Sequence, residues 1–351
     1  MIDFDTVAQG NRLALSRLLT EVENGTQAGR KALDDFFIKS GRAHLIGITG
    51  APGTGKSSLV SCLTRVLRQE YGKSVAIVAI DPSSPFTDGA ILGDRVRMRD
   101  LTGDPGIFIR SMASRGALGG LAKATAGVVQ ILDAAGFDVI MVETVGAGQN
   151  EVDIARLAHT TIVVDSPGMG DDIQAIKAGI LEIADILVIN KADHPGVENT
   201  ERALRANLDL GHMVKMNHNA GHAVTLEEVE TQERDWIPPV LRTIATQNSG
   251  ISEVVSSILD HRKYLERSGL WAVRDQERLR NEVEHQLREE LVERWRNSIS
   301  TKKYEEILQT VYDRKVSPGT AILTLMEITP YNKSEQTYTS KRGIIYGKNV
   351  D

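Results

Sequence analysis

Gly47-Ile48-Thr49-Gly50-Ala51-Pro52-Gly53-Thr54-Gly55-Lys56-Ser57-Ser58 fits the pattern G-x-x-x-x-G-K-[ST] without a mismatch. It follows the apolar run His44 to Thr49 and opens Lys56 to Gln69, where Leu59, Val60, Leu63, Val66 and Leu67 recur on a helical period. Strand, glycine-rich loop and helix in that order predict a phosphate cradle. Gly50, Gly53 and Gly55 let successive backbone N–H groups turn toward one anion, and the positive end of the new helix points the same way. Lys56 then reaches the β- and γ-phosphates and the Ser57 hydroxyl ligates Mg²⁺, so residues Gly50 to Ser58 line the nucleotide. The plainer alternative is a glycine-rich turn that happens to precede Lys-Ser, and the flanking periods weigh against it.

Outward from the cradle, apolar strand-like runs alternate with helical stretches: Ser74 to Asp81, Gly106 to Arg110, Phe137 to Glu143, Thr160 to Asp165, Ile186 to Asn190 and Val240 to Ala245. That alternation predicts an α/β fold with a mostly parallel sheet covered by helices. Residues 1–42 read as a helical arm in which Leu15, Leu18, Leu19 and Val22 form one stripe before an Asn24-Gly25 stop. The nucleotide domain is expected over 43–258 and a helical region over 259–329, with Glu277 to Trp295 a charged helix and Ser317-Pro318 an N-cap followed by proline. Residues 330–351 read as a polar tail.

Composition excludes several classes. Charged residues at 25% and hydrophobic residues at 41% are those of a globular chain, and a net charge of −6 offers no footprint for nucleic acid or anionic membrane. No apolar run approaches the roughly 20 residues of a membrane span, and Met-Ile-Asp-Phe-Asp lacks the character of a signal peptide. A cytoplasmic protein with neither nucleic acid nor membrane as partner is expected. The single cysteine, Cys62, reads as a small buried filler of the helix after the cradle.

Three segments bear on the base and the metal. Asn190-Lys191-Ala192-Asp193 ends an apolar strand, where ligands sit in open α/β sheets. The Asp193 carboxylate can accept from both guanine N1–H and the exocyclic amine, a donor pair that adenine lacks, which favours GTP over ATP; alone, the tetrapeptide could equally be a capped turn. Glu143-Thr-Val-Gly146 stands where D-x-x-G is usual, so Glu143 is a metal and catalytic candidate, with Gly146 able to approach the γ-phosphate. Asp81 ends its strand and Asp94 follows in Ile91-Leu-Gly-Asp-Arg-Val-Arg. Mg²⁺ takes only one or two carboxylates directly, so Asp81, Asp94 and Glu143 are too many for one ion. Asp81 and Glu143 are placed nearest to it, and Asp94 either enters on loop closure or is a surface aspartate.

Together these residues resemble the MeaB/ArgK family of GTPases associated with methylmalonyl-CoA mutase. The resemblance rests on Gly50 to Ser58, Asp81-Pro-Ser-Ser, Ile91-Leu-Gly-Asp94-Arg-Val-Arg-Met, Val142-Glu143-Thr-Val-Gly146-Ala-Gly-Gln149-Asn-Glu151, Pro167-Gly-Met-Gly-Asp171-Asp172-Ile-Gln174 and Asn190 to Asp193, within about residues 10–328. It implies a P-loop NTPase of the SIMIBI class with an N-terminal helical arm and a C-terminal helical dimerisation region, hence a homodimer. It also implies a GTP-hydrolysing chaperone that gates cobalamin loading of an adenosylcobalamin-dependent acyl-CoA mutase and protects that enzyme from inactivation. Asp165 to Lys177 corresponds to a switch that reports nucleotide state to the mutase, with Asp171, Asp172, Gln174 and Lys177 as polar contacts. The last guanine-binding element, commonly Ser-Ala or Thr-Ser-Ala, falls at Ala245, Thr246 and Gln247, and Asp165-Ser166 replaces the apolar residue usual before Pro167.

Gln149 is the candidate for placing the attacking water, and Arg95, Arg97, Arg110 and Arg115 are available as arginine fingers. Two other functions stay open: a nickel- or metal-insertion GTPase and a kinase linked to amino-acid transport. For the first, His212, His218 and His222 in a Gly/Asn-rich loop are the nearest histidine cluster, with no cysteine beside it.

Overall fold

Alternation along each strand decides which layer a side chain enters. In β1 (His44–Thr49) Ile46 and Ile48 face one layer and Leu45 the other; in β2 (Val75–Pro82) Val75 and Ile77 oppose Ala76, Val78 and Ile80. The sheet is completed by β3 (Ile107–Ser114), β4 (Val139–Thr144), β5 (Thr160–Asp165), β6 (Ile186–Ile189) and β7 (Val240–Arg242), in the order β3-β2-β4-β1-β5-β6-β7. Every pair in it is parallel. Strands buried on both faces need no polar alternation, which is why the sequence shows them as nearly continuous apolar runs. The computed structural model describes residues 6–7, 10–82, 98–101, 103–114, 120–144, 150–168, 182–219 and 236–326, with backbone alone at 81–82, 99, 113–114, 120–123, 150–153 and 210–219.

One layer packs α3 (Lys56–Gln69) and α7 (Ile251–Arg267) through Leu59, Leu63, Leu67, Val254, Val255 and Ile258. The other packs the N-terminal arm. There α1 (Arg12–Glu23), capped by Asn11, and α2 (Gln27–Phe37), capped by Thr26, lie with α4 (Gly120–Ala134) and α5 (Asn150–Leu157) against the sheet. Leu15, Leu18, Leu19 and Val22, the stripe legible in the sequence, are all buried, at about 2 kcal/mol of hydrophobic stabilisation each. Arg110 of β3 clasps Glu23 of the arm through Nε and Nη2, at 2.8 and 2.6 Å, so this arginine is held in a structural pair rather than free to act as a finger. Asp133 of α4 accepts from the backbone N–H groups of Gly41, Arg42 and Ala43 at 2.6, 3.0 and 2.9 Å and fixes the entry to β1.

Two expectations are corrected. The run Val240 to Ala245 stays in the sheet only to Arg242, and Ala245–Gln247 turns into a short 3₁₀ helix, because the Ala245 N–H is drawn to the Asn190 side chain at 3.1 Å. The backbone of α6 (Val197–Asn219) runs through His212 and His218, so these two are helical rather than in a loop. No proline interrupts that stretch, and Gly211 costs a helix only about 1 kcal/mol. His222 lies outside the described residues.

The chain forms two compact units, Met1–Val283 and Glu284–Asp351. α8 (Leu270–Ser298) begins well before the Glu277 expected from charge pattern, because Trp271 and Arg274, within the first unit, find partners in His159 and Asp185 of the same unit. Within the second unit, Trp295 stands edge-on to Tyr304 of α9 (Thr301–Tyr312) and donates to the Leu325 carbonyl at 3.3 Å. Leu325 ends α10 (Pro318–Leu325), which opens on the Ser317 cap and proline that the sequence predicts. No described helix is long and apolar enough to cross a membrane.

Candidate nucleotide site

The carboxyl ends of β1, β4, β5 and β6 gather the residues that the sequence singles out, as expected at the ligand edge of an open parallel sheet. Gly50, Gly53 and Gly55 have φ of 139°, 81° and 89°, values that L side chains rarely adopt and that glycine supplies to the tight loop. A side chain at Gly50 would meet the Val164 carbonyl at 2.0 Å, and one at Gly55 the Asn190 amide at 2.4 Å. Glycine at these two positions is therefore a packing requirement as well as a conformational one. Pro52 and Gly53 are exposed at the rim, Thr54 is buried with its hydroxyl donating to the Ala51 carbonyl at 3.0 Å, and Ser58 faces solvent on α3.

Lys56 is 6% exposed and folds over its own loop, donating to the carbonyls of Gly50 and Ala51 at 2.8 and 2.9 Å. Its ammonium is thus already poised across the cradle. Beneath it, Ser57 donates to Glu143 Oε1 at 2.7 Å, both side chains buried, and Thr144 donates to Thr49 at 3.1 Å. A hydroxyl and a carboxylate oxygen in contact at the floor of the loop are hard donors, and they fit a Mg²⁺ ion that keeps most of its waters. Asp81 lies one strand over, where β2 pairs with β4 at Ala79–Glu143, and its backbone alone is described.

Asn190 joins three elements. Its amide donates to the Thr54 carbonyl at 2.9 Å, and its Oδ1 accepts from the Thr243 hydroxyl and the Ala245 N–H, each at 3.1 Å. Lys191, at φ 56°, stretches over the loop to the Gly53 carbonyl at 2.8 Å, and Asp193 stands exposed two residues on. Thr246 and Gln247 are exposed beside buried Ala245. Asp165 ends β5 next to this edge; burial raises its carboxyl above the usual range, opposed by the Ser166 N–H, which it accepts at 2.7 Å. Asp94, Gln149, Asp171, Asp172, Gln174 and Lys177 lie outside the described residues.

Cys62 is the buried filler that the sequence predicts, but it also makes a contact that no local pattern shows. Its thiol donates to the Ala245 carbonyl at 3.1 Å, tying the helix after the cradle to the turn that follows β7, and burial raises its pKa so that the proton stays in place. Cys62→Ala is expected to weaken guanine-nucleotide binding by about threefold, at the low end of the roughly 0.5–1.5 kcal/mol of a hydrogen bond. Cys62→Ser is expected to retain wild-type affinity. Release of a fluorescent GDP analogue measures both, and equal rates for the alanine variant and wild type would remove the thiol from the site.

The geometry of Gly50 to Ser58 between β1 and α3 is that of a P-loop, with the Asn190 and Ala245 turns packed beside it, and known proteins resemble the chain over most of its length. Residues 15–300 match the family described as Methylmalonyl Co-A mutase-associated GTPase MeaB. A GTPase of Pyrococcus abyssi is 45% identical over 323 residues, covering 92% of this chain and 94% of the relative. GTPase ArgK of Escherichia coli is 35% identical over 327 residues, covering 91% and 93%. Among solved structures, one described as an LAO/AO transport system kinase superposes with a TM-score of 0.63 at 27% identity, covering 92% of this chain and 95% of its own. A cradle built on β1, a parallel sheet of this order and a family match across most of the length lead to one conclusion: the chain belongs to the MeaB family and is a GTPase with the α/β P-loop fold.

Proposed function

We propose that this GTPase is a chaperone of an adenosylcobalamin-dependent acyl-CoA mutase of the methylmalonyl-CoA mutase type, gating cobalamin loading and protecting the mutase from inactivation. The observation that carries the reading is membership, over residues 15–300, of a family described by its association with methylmalonyl-CoA mutase. GTP and GDP are the ligands of the cradle, with the backbone of Gly50 to Ser58 around the phosphates, Lys56 on the β- and γ-phosphates, and Asn190, Lys191, Asp193 and the Ala245–Gln247 turn around the base. Ser57 and Glu143 hold Mg²⁺, with Asp81 and Asp94 as further candidates. When bound, the ion neutralises charge on the phosphate oxygens.

In the reaction, water attacks the γ-phosphorus and the bond from that phosphorus to the β–γ bridging oxygen breaks, giving GDP and phosphate. Lys56 and the loop N–H groups stabilise the charge that gathers on the leaving oxygen. Gln149 places the water, and Asp171, Asp172, Gln174 and Lys177 report the nucleotide state to the mutase. Arg110 is bound to Glu23, which leaves Arg95, Arg97 and Arg115, all outside the described residues, as the finger candidates of this chain, brought into place when a partner orders the switches. On the part of α8 in the second unit, Leu287 and Leu291 are 55 and 57% exposed, apolar positions that support pairing with a second copy.

Titrating candidate cobalamin-dependent acyl-CoA mutases into the protein, with co-elution and GTP turnover as readouts, is expected to give binding and at least about a tenfold rise in turnover, the scale on which ordering a catalytic group acts. Failure of every such mutase to bind would remove the proposal. A second reading is favoured only by the 27% identical structure, whose protein is described as a transport system kinase. Phosphate transfer from ATP to a transport protein, without GTP hydrolysis, would reverse the order.

A further inference from the structure

At the amino-terminal ends of the strands, opposite the nucleotide edge, three histidines far apart in sequence come together. His44 opens β1, His159 precedes β5 and His261 lies in α7, and they are 1, 2 and 0% exposed. The first turns of α8 close over them. The Trp271 ring stacks on His159 at 3.9 Å and lies 5.6 Å from His44, with Arg262 of α7 above it at 5.1 Å. Arg274 grips Asp185 with both terminal nitrogens at 2.9 Å and also donates to the His159 carbonyl.

The hydrogen bonds fix where the protons are. Leu45 donates its N–H to His159 Nδ1 at 3.1 Å, so that nitrogen is bare and Nε2 carries the proton, 3.1 Å from Asp275. The Thr160 hydroxyl lies 2.7 Å from His44 Nε2 and 2.9 Å from His261 Nδ1, and it has one proton to give. His261 Nε2 is 3.3 Å from Asp185 Oδ1, off the line of a good hydrogen bond, yet the carboxylate favours the proton on that nitrogen. His261 Nδ1 is then the acceptor of the Thr160 hydroxyl, and Thr160 accepts in turn from His44 Nε2–H. His44 Nδ1 remains a bare nitrogen, buried and without a hydrogen-bond partner among the described residues. A proton added to His159 would face the Leu45 N–H, and one added to His44 would face nothing that can accept it.

We propose that His44 and His159, linked through Thr160 and His261, form a proton-operated clasp that holds α7 and the start of α8 on the amino edge of the sheet, shut while the rings are neutral and released when they are protonated.

The groups facing each ring agree in sign. Around His44 stand His159, Arg262 and His261, which oppose a positive charge, and Asp185, which favours it; burial is the largest influence and holds the ring well below its usual range. Around His159, burial again leads and Arg278 and Arg274 add to it, against Asp275, and the ring is lowered. Asp185 is committed elsewhere: burial would raise it, but His261 and Arg274 take it to about 2, with Tyr264 and Glu277 the next charges near Arg274. Rings released from the clasp bind protons more readily than rings held in it. Closure is therefore fully favoured above the ordinary histidine pKa of about 6.5, and below it opening gains about tenfold per pH unit per ring until the folded pKa is reached.

Hydrogen exchange of the full chain at pH 7.5, 6.5 and 5.5, corrected for intrinsic exchange, tests this. Opening of residues 270–282 is expected to rise at least about tenfold from pH 6.5 to 5.5, while Val128 to Leu132 in α4 stay protected. The double variant His44→Gln, His159→Gln is expected to lose that pH dependence. Should the variant not fold, ¹³C-histidine resonances of the wild type decide, since both rings must titrate below 6.5 over the range in which 270–282 opens. Constant protection of 270–282 down to pH 5.5, parallel opening of α4, or an unchanged pH profile in a folded double variant would each overturn the clasp.

Discussion

Lys56→Ala is expected to lower GTP turnover at least about 100-fold, a loss of roughly 3 kcal/mol of transition-state stabilisation. The native ammonium sits across the cradle, 2.8 Å from the Gly50 carbonyl and 2.9 Å from that of Ala51. Held there by backbone oxygens, it is already in place to meet the incoming phosphates, and little reorganisation is needed when charge develops on them. Alanine removes that positive charge from the γ-phosphate and leaves the loop's own turn to its glycines. The fold should survive, because the turn is set by backbone conformation and not by the lysine head, so a circular-dichroism melt separates lost chemistry from lost structure. Unchanged GTP turnover in a folded Lys56→Ala protein would remove the cradle from the mechanism.

Gly50→Ala is expected to act on the fold itself. At φ 139° an L-residue is strained, and the added methyl would meet the Val164 carbonyl at 2.0 Å, a backbone atom of β5 next to its pairing with β1 at Thr49–Val163. Neither neighbour can give without breaking the sheet at its centre. Strain of about 1–3 kcal/mol for the dihedral and a similar amount for the overlap add to a destabilisation of about 3 kcal/mol or more. Denaturant unfolding measures it, with Gly53→Ala as a comparison that carries dihedral strain at the exposed rim. A loss below about 1 kcal/mol would mean that the close approach of β1 to β5 is softer than these distances imply.

Local signals were legible in the sequence and long-range ones were not. The cradle is built from consecutive residues whose conformation glycine itself dictates, so pattern and structure coincide from His44 to Gln69. The arm was legible as a stripe of four aliphatic side chains, although nothing in the stripe says which face of the sheet it covers. Val240 to Ala245 reads as one strand because its residues favour strands, yet the Asn190 side chain competes for the Ala245 N–H and wins. Arg110 reads as available for catalysis until its partner, Glu23, arrives from the other end of the domain. The histidine clasp left no trace at all, since residues 44, 159, 185, 261 and 274 share no local period and meet only through the topology of the sheet.

The choice of guanine over other bases rests on the Asp193 carboxylate at the rim of the site. Asp193→Asn offers one acceptor and one donor in place of two acceptors, which suits xanthine, with N1–H beside a carbonyl, better than guanine, with N1–H beside an amine. Turnover of GTP, XTP and ATP by wild type and this variant is the most direct measurement. A fall in kcat/KM for GTP of about 100-fold with a rise for XTP is expected, because leaving a polar group unpaired is what a hydrogen-bonding site penalises most. An unchanged preference for GTP over XTP and ATP in the variant would contradict it.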